Sequence, residues 1–454
     1  MTHWTLDRVA RALSSTRDDF VPRPSGTRAL GGISTDTRAL ARGDVFVALR
    51  GERFDGHDYL PDAVRGGASA LVVSVPARAA GLGVPVFIVP DTLAALGALG
   101  SFWRTTWGGT VIAVAGSNGK TTTKELIRGA LSGALEVYAT RGNLNNQVGV
   151  PLTLLAIPGS ASVAVVEVGT SLPGEVDLLR RVVGPDVAVV TSVGEEHLEG
   201  LGSVEGVLRE ETSIYRDVPV GVAPAAQPEI GHAARSLARR VTEAGLNEGT
   251  VCPDTWGLDG DGRGWATFGT VRLELHLAGV HNLRNAMLAM AIARACGIPD
   301  EIAAAGVSAV EPLAMRGQRI SAGGLTILND AYNANPASMR EALALLDGMN
   351  GGRPKVVVLG TMRELGPQAP MLHEEIARRA LASGADLIAG IGDFAAPLEA
   401  SPAPRDRIVT APDVPELWSL LAPRLPRNAI VLIKASRGVR LERLVPLLVS
   451  WSGA

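Results

Sequence analysis

The sequence of 454 residues has no large charge excess of either sign, few thiols and no long apolar runs. Its 43 Lys plus Arg against 46 Asp plus Glu give a formal net charge of −3. Nucleic acid is therefore not indicated as a partner, because binding to phosphates requires clustered excess cation. Two cysteines, Cys252 and Cys296, are too few for a disulfide framework or a multi-thiolate zinc site, and they favour a reducing compartment. No uninterrupted apolar run reaches the roughly 18 residues that span a bilayer. We expect a cytoplasmic protein without membrane insertion.

Lysine is also scarce, although arginine is not. Four lysines occur, Lys120, Lys124, Lys355 and Lys434, so that 43 − 4 = 39 of the cations are arginine. Codon bias explains the arginines, but it does not explain why four positions keep lysine. Lys120 lies in a glycine-rich segment, whereas Lys124 and Lys355 are expected on a helix surface and at a strand start.

The pattern of apolar residues predicts an α/β fold with three domains. Short strand-like pieces separated by turn residues predict a small α/β domain over residues 1–108. From residue 109 to 312, β-branched runs such as 111–115 alternate with helical segments, as in a buried parallel sheet. This pattern is typical of a doubly wound nucleotide-binding core. The same alternation over residues 313–454 predicts a third, Rossmann-like domain.

The clearest motif follows the first strand of the central part. Gly-Ser-Asn-Gly-Lys-Thr-Thr occupies residues 116–122, between the strand at 111–115 and a helix that is predicted to run to residue 131. Glycines allow backbone N–H groups to close around phosphate oxygens, and the helix N-terminus adds its dipole. Lys120 would reach the terminal phosphates and the Thr121 hydroxyl could ligate Mg²⁺. The strict Walker pattern requires glycine where this chain has Val114, but the strand-loop-helix context predicts ATP binding. The predicted ATP loop comprises Gly116, Ser117, Asn118, Gly119, Lys120, Thr121 and Thr122.

The shortened loop Gly-Ser-Asn-Gly-Lys-Thr-Thr resembles the ATP loop of the Mur ligases. These are cytoplasmic enzymes that build the peptidoglycan stem peptide and share a fold with folylpolyglutamate synthase. The resemblance covers essentially the whole chain. It implies an ATP- and Mg²⁺-dependent ligase of cell wall biogenesis, with a P-loop central domain between a UDP-substrate-binding domain and a Rossmann-like domain.

One carboxylate and one imidazole side chain follow strands of the central part, and both resemble Mur ligase metal ligands. Glu167 ends the run Val-Val-Glu-Val-Gly, where the carboxyl ends of parallel strands converge on a ligand crevice. His197 follows the next strand. A solvated strand-end acid and a structural histidine are the ordinary explanations, but the family implies that both residues hold Mg²⁺.

The chain departs from the family at the second metal. Mur ligases usually carry, about a dozen residues after the histidine, a lysine whose carbamylated amine supports that ion. The equivalent position here is Glu211, and no lysine occurs between Lys124 and Lys355. Either Glu211 or its neighbour Glu210 supplies the carboxylate directly, or water and substrate hold the second ion.

Several later segments resemble parts of the family's nucleotide site. Gly-Val-His-Asn-Leu-Arg-Asn-Ala at 279–286 implies that Asn282 and Asn285 meet the adenine, although helix capping would also explain them. Arg316, at the expected domain junction, would reach the γ-phosphate only when the domains close. Asp330, in Asp-Ala-Tyr-Asn-Ala-Asn-Pro, would meet the ribose. The catalytic residues implied by the resemblance are Lys120, Glu167, His197 and Arg316.

The same string, Asp-Ala-Tyr-Asn-Ala-Asn-Pro, is typical of the family member that adds D-alanyl-D-alanine to UDP-N-acetylmuramoyl-tripeptide. The Asp-Asn-Pro-Arg segment of the ligase that adds the third residue is absent. Ser-Thr-Asp-Thr-Arg at 34–38 resembles the uridine-nucleotide segment of the later Mur ligases, and residues 142–151 resemble the segment that contacts the muramoyl peptide. The implied substrate-binding residues are Ser34, Asp36, Thr37, Arg38, Asn143, Asn145, Asn146, Tyr332, Asn333 and Asn335.

Other functions stay open at this point. They are the ligase that adds the third residue, a folate or cyanophycin-type ligase, and a nucleotide-binding homologue without catalysis, for which the only support is Glu211 in place of lysine. We expect a monomer.

Overall fold

The structure is a computed structural model and describes residues 4–15, 24–349 and 352–453. It divides into two compact units. The first comprises Met1–Val114, Leu135–Gly169 and Glu175–Val187, and the second comprises Ala115–Ala134, Thr170–Gly174 and Ala188–Ala454. The predicted domain boundaries at 108/109 and 312/313 stay a prediction.

Helices and strands alternate through most of the described chain. The α-helices are α1 Leu6–Ala12, α2 Leu60–Arg65, α3 Thr92–Trp107, α4 Lys120–Ser132, α5 Gly149–Leu155, α6 Glu175–Val183, α7 Leu198–Leu201, α8 Val204–Thr212, α9 Pro228–Leu237, α10 Val280–Ala295, α11 Asp300–Ser308, α12 Pro336–Gly348, α13 Ala369–Ala382, α14 Ala395–Glu399, α15 Val414–Leu421 and α16 Leu444–Ser452.

The strands of the described residues coincide only in part with the predicted β-branched runs. They are β1 Ile33–Ser34, β2 Val45–Val47, β3 Ala70–Val73, β4 Val86–Ile88, β5 Thr110–Ala115, β6 Val137–Ala139, β7 Val163–Glu167, β8 Val187–Val190, β9 Val220–Pro224, β10 Arg240–Ala244, β11 Thr255–Leu258, β12 Arg263–Phe268, β13 Val271–Ala278, β14 Gln318–Ala322, β15 Leu325–Asp330, β16 Lys355–Leu359, β17 Leu387–Ile391, β18 Ile408–Ala411 and β19 Ile430–Lys434.

The first unit contains two parallel arrangements of strands. β1 to β4 form a parallel sheet in sequence order. Its apolar residues alternate between the two faces. Val45 and Val47 pack with α1 and α3, whereas Phe46 packs with α2 on the other face. β5, β7 and β6 are consecutive parallel strands, so the segments that leave β5 and β7 begin at the same edge.

The second unit contains the C-terminal sheet, with strand order β14-β15-β19-β16-β17-β18. Only β14 is antiparallel to its neighbour. Parallel strands buried on both faces require covering helices, and α15 and α16 pack on one face of this sheet through Leu417, Leu421, Leu444 and Leu448. The α/β fold class with parallel sheets is confirmed.

One sheet of the second unit was not predicted. β11, β12 and β13 form an antiparallel sheet. The signal is present in β13, where Leu273, Leu275 and Leu277 are buried and alternate with exposed polar residues. This period of two is typical of a strand with one face in the core and the other in solvent.

No helix within the described ranges is both long and apolar enough to span a membrane.

Candidate active site

The phosphate loop connects β5 to α4, as predicted. Gly116 and Gly119 have φ angles of 119° and 82°, which favour glycine. A Cβ atom on Gly116 would also overlap the hydroxyl of Thr191. α4 begins at Lys120, directly after Gly119, so its free N–H groups face the loop. These features make the loop an anion-binding turn.

Hydrogen bonds with the segment that follows β8 hold this turn in shape. The Thr191 hydroxyl donates to Asn118 O at 2.6 Å, and Ser117 Oγ accepts from Gly194 N at 3.0 Å. The Lys120 ammonium donates to the carbonyl oxygens of Gly116 and Ser117 and lies 3.7 Å from a carboxylate oxygen of Glu196. The Lys120 ammonium is therefore held against the phosphate loop.

Glu211 contacts the phosphate loop directly. One carboxylate oxygen accepts from Gly116 N at 2.7 Å, and the side chain is completely buried on α8. The other oxygen, Oε1, has no hydrogen-bond partner. Burial raises the pKa of Glu211 to about 7, because its effect is larger than the opposing charge of Lys120, and the charge of Glu196 adds to the rise.

Glu211 and its neighbour Glu210 have different hydrogen-bond partners. Glu210 accepts from Thr170 Oγ1 at 3.3 Å and from Gly174 N at 2.7 Å. Successive helical residues point about 100° apart because a turn has 3.6 residues. Of the two predicted alternatives, only Glu211 has a hydrogen bond to the phosphate loop.

His197 precedes the short helix α7 and has a left-handed backbone with φ of 51°. Its Nδ1 contacts Glu364 Oε2, and its Nε2 lies 3.9 Å from Glu196 Oε2. Burial alone lowers the pKa of His197, but the contact with Glu364 and the charge of Glu196 outweigh burial and raise that pKa. The same contact holds the pKa of Glu364 below its ordinary value.

Glu167 belongs to the first unit and ends β7, as predicted. One of its oxygens accepts from Asn145 Nδ2 at 2.9 Å, whereas the other is buried without a partner. This bond joins a predicted metal ligand to a predicted substrate residue. Asn146 Oδ1 accepts from Val148 N and Gly149 N where α5 begins, and Asn143 is exposed in the preceding turn.

The two asparagines of α10 lie within the helix, whose cap residue is Gly279. The capping explanation is therefore wrong. Asn282 Nδ2 donates to Ala278 O at 2.7 Å. Asn285 lies against the phosphate loop, because a Cβ atom on Gly119 would come within 3.0 Å of both its amide nitrogen and its amide oxygen. Asn285 therefore excludes any larger residue at that turn.

Arg316, Tyr332 and Asp330 come together in the second unit. The Arg316 guanidinium lies 3.8 Å from the centre of the Tyr332 ring, a cation–π contact. Asp330 accepts from Gly317 N at 3.0 Å and forms an ion pair with Lys434. Tyr332 thus stacks with Arg316, and the next residue, Gly317, bonds the carboxylate that is predicted to meet a ribose.

Asn333 and Asn335 follow in the same segment. Asn333 is exposed, and its carbonyl oxygen accepts from Lys434. Asn335 caps α12 in a reciprocal capping box with Ser338, and Pro336 occupies the first helical position. Its amide nitrogen donates to Asn118 Oδ1 of the phosphate loop at 3.0 Å.

Lys434 offers a direct test of this segment. It is buried, and it bonds Asp330 and the Asn333 carbonyl. Lys434→Met leaves Asp330 without its cation, so we expect a loss of about 3 kcal/mol in the free energy of unfolding, measured by urea denaturation. Adding Asp330→Asn should recover part of that loss. Equal stability of the single variant and the parent would contradict a structural role of the pair.

The N-terminal segment predicted to bind uridine nucleotide forms a tight turn in the first unit. Asp36 accepts from the backbone and guanidinium nitrogens of Arg38, with the shortest distance 2.6 Å. The Arg38 side chain is the main reason that the pKa of Asp36 falls to about 2. Ser34 Oγ donates to Asp36 O at 3.1 Å, and Thr37 is half-buried in the same turn. The turn presents a guanidinium to solvent.

The residues present fit a hard cation such as Mg²⁺. In the second unit, Thr121 Oγ1, Glu196 Oε1 and Glu211 Oε1 are buried without hydrogen-bond partners. Mg²⁺ prefers oxygen ligands and usually takes one or two carboxylates plus phosphate oxygens. Among the described residues, no three His, Cys, Asp or Glu side chains form a group that could hold a metal by themselves. Phosphate and water oxygens would complete the coordination.

Comparison with known sequences decides the family. Profiles described as Mur ligase family, catalytic domain; Mur ligase middle domain; and Mur ligase, glutamate ligase domain match residues 30–104, 114–293 and 315–437. The UDP-N-acetylmuramoyl-tripeptide--D-alanyl-D-alanine ligase of Bacillus subtilis is 34% identical over 430 residues, covering 92% of this chain and 93% of the relative. The chain belongs to the Mur ligase family. The ligase of the same name from Escherichia coli is 35% identical over 80% of this chain and 81% of its own.

Solved Mur ligase structures have the same fold. A crystal structure of MurF from Acinetobacter baumannii superposes with a TM-score of 0.88 at 31% identity and covers 99% of both chains. MurF ligase from Thermotoga maritima, solved in complex with ADP, has a TM-score of 0.81 at 26% identity and covers 93% of this chain and 98% of its own.

Sequence reasoning about this Mur ligase missed three acidic residues near His197. Glu196 is buried beside Lys120, Glu364 contacts His197, and Glu195 accepts two hydrogen bonds from Arg340 at 3.0 and 3.1 Å. Glu195 and Glu196 directly precede the histidine, which was a usable signal. The partners Arg340 and Glu364 lie 145 and 167 positions away, and no local pattern reveals them.

The expectation for Lys124 was wrong. The side chain is 2% exposed within α4 and pairs with Glu125 at 3.0 Å. α4 packs against α10 and α11 in the second unit, so little of this helix faces solvent. Lys355 does start a strand, as expected.

Proposed function

We propose that the chain joins D-alanyl-D-alanine to UDP-N-acetylmuramoyl-tripeptide at the expense of ATP, forming ADP and phosphate. The observation that carries this proposal is the 34% identity to a ligase of that name over 92% of the chain. The reaction is the last cytoplasmic step of stem-peptide synthesis in the peptidoglycan pathway, and it links the enzyme to cell shape and division. A monomer of three domains, with boundaries at 108/109 and 312/313, carries it out.

The reaction has two steps. The terminal carboxylate of the tripeptide attacks the γ-phosphoryl group of ATP, so that an acyl phosphate forms and ADP leaves. The free amine of D-alanyl-D-alanine then attacks the acyl carbon, and phosphate leaves through a tetrahedral intermediate. Carboxylate, triphosphate and acyl phosphate are all anionic, and their mutual repulsion is the main barrier that the site lowers. Bound Mg²⁺ offsets part of that charge as a Lewis acid.

The cationic residues of the site offset the remaining charge. Lys120 serves the β- and γ-phosphates, because hydrogen bonds to the Gly116 and Ser117 carbonyl oxygens hold its ammonium against the phosphate loop. Arg316 approaches the transferring phosphoryl group, and its contact with Tyr332 restricts its rotation. Glu211 and Thr121 offer unpaired oxygens to Mg²⁺ beside the loop. Glu167 and His197 are further ligands.

The remaining predicted residues bind the nucleotide and the substrates. Asn282, Asn285 and Asp330 serve adenine and ribose. The uridine and muramoyl-peptide contacts are assigned to Ser34, Asp36, Thr37, Arg38, Asn143, Asn145, Asn146, Tyr332, Asn333 and Asn335.

A phosphate-release assay with matched substrates tests the proposal. We expect release with ATP, UDP-N-acetylmuramoyl-tripeptide and D-alanyl-D-alanine together, at least tenfold above the rate without the dipeptide. UDP-N-acetylmuramoyl-dipeptide with a diamino acid serves as the matched alternative. Release with that pair alone would assign the chain to the ligase that adds the third residue. Release with neither pair, while ADP still binds, would support a homologue without catalysis.

A further inference from the structure

The contact between His197 and Glu364 joins residues 167 positions apart. Glu364 Oε2 lies on the Nδ1 side of the ring, and Glu199 N donates to Glu364 O at 3.2 Å. The Nε2 atom is on the opposite side of the ring, 3.9 Å from the buried Glu196 carboxylate. One ring nitrogen is therefore occupied, and the other points toward the acidic side of the phosphate loop.

The backbone is constrained on both sides of this contact. His197 and Glu364 have φ angles of 51° and 64°, a region that residues other than glycine rarely adopt. Gly366 has φ of 57°, and a Cβ atom there would lie 3.2 Å from Glu199 Cα. Left-handed residues other than glycine persist when their surroundings hold them, and they concentrate at functional sites. The two side chains therefore meet because both backbones are fixed.

A second polar contact fixes the loop that carries His197. Arg340 donates to both oxygens of Glu195 through one guanidinium nitrogen, and Glu375 binds the same guanidinium at 2.8 and 3.0 Å. The two hydrogen bonds to Glu375 fix the orientation of the Arg340 guanidinium that bonds Glu195. Residues beyond position 312 thus hold this loop at Glu195 and at His197.

We propose that Glu364 is a positioning residue for His197, which it holds with the Nδ1 proton toward Glu364 and the Nε2 lone pair toward the metal. This inference rests on the proposed function, because it takes His197 as a ligand. A carboxylate that accepts the second ring N–H fixes the tautomer and the ring orientation of a ligating histidine. The segment beyond residue 312 therefore controls the geometry of a ligand that the central segment supplies.

A measurement of metal affinity distinguishes the positioning role of Glu364 from a contribution to packing alone. Mn²⁺ binding in the presence of ADP is measured by electron paramagnetic resonance on the full chain. Glu364→Ala should weaken Mn²⁺ affinity about 10- to 100-fold, and Glu364→Gln should weaken it less because the amide oxygen still accepts. Glu374→Gln is the matched control, since the ion pair that Glu374 forms with Arg378 lies on the exposed face of α13. It should bind Mn²⁺ like the parent.

The tautomer itself gives a second readout. In protein labelled with ¹⁵N-histidine, the ring signals missing from His197→Asn belong to His197. At high pH, where the ring is neutral, we expect a protonated Nδ1 in the parent and a shift toward protonated Nε2 in Glu364→Ala. If Glu364→Ala does not fold, Glu364→Gln carries both measurements.

The outcomes distinguish the inference from the function on which it rests. Unchanged Mn²⁺ affinity in His197→Asn would remove His197 from the metal site and thus overturn that part of the proposed function. Weakened affinity in His197→Asn with parental affinity and tautomer in Glu364→Ala would overturn the role of Glu364 alone.

Discussion

Lys120→Met is expected to lower the rate of substrate-dependent phosphate release by a factor of about 10² to 10³, the effect of removing one preorganised charge from a transition state. The ammonium is held over the phosphate loop by the Gly116 and Ser117 carbonyl oxygens and lies beside the buried Glu196. It is thus placed where negative charge accumulates, and methionine fills its volume without the charge. The measurement is steady-state phosphate release with both substrates saturating.

Lys355→Met is the matched control because the chain has only four lysines. The Lys355 ammonium donates to Asp347 O at 2.9 Å on an exposed surface, and Lys355 starts β16. Its variant should retain the parental rate. A Lys120→Met enzyme within threefold of the parent would contradict the phosphate-binding role of the loop.

Glu211→Gln is expected to raise thermal stability without Mg²⁺ in a pH-dependent way. The folded protein raises the pKa of this carboxyl to about 7, whereas an unfolded glutamate titrates near roughly 4.3. Between these values the folded state binds the extra proton, so its stability falls as pH rises through the window. Glutamine removes this penalty. The variant should therefore match the parent near pH 4 and exceed its Tm by roughly 2–8 °C at pH 8.

The same variant should respond weakly to Mg²⁺. Removing a ligand carboxylate should raise the Mg²⁺ concentration for half-maximal activity about tenfold or more. Glu205→Gln, on the exposed first turn of α8, is the control and should keep the parental Mg²⁺ dependence. Glu210→Gln tests the neighbouring carboxyl, which bonds Thr170 and Gly174 instead. An unchanged Mg²⁺ dependence in Glu211→Gln would remove Glu211 from the metal site.

Sequence patterns within short segments predict much of the fold. Continuous β-branched and apolar runs at residues 355–359 and 387–391 favour buried strands, and β16 and β17 occupy these residues. The phosphate loop and α4 follow from glycines and a helix-forming run within a short segment. α12 begins at Pro336 behind Asn335, as a cap residue followed by proline predicts.

The same short sequence patterns misplace some ends of strands and helices. The β-rich run at 187–193 predicts a strand that reaches Val193, but β8 ends at Val190. The helical pattern from Asn282 predicts a helix start at that residue, but α10 begins at Val280. Strand length is set by the neighbours with which a strand pairs, and helix ends depend on the turn before them. Neither is encoded by the apolar residues alone.

The sequence by itself determined the family, the α/β class and the residue types of the phosphate loop, since these depend on motifs whose members lie a few positions apart. Only the tertiary structure decided that Lys124 is buried, that Glu211 rather than Glu210 bonds the loop, and that His197 contacts Glu364. The physical reason is that burial and charge pairing depend on which elements pack together. A helix of 3.6 residues per turn sends adjacent side chains to different neighbours, and folding joins residues more than a hundred positions apart.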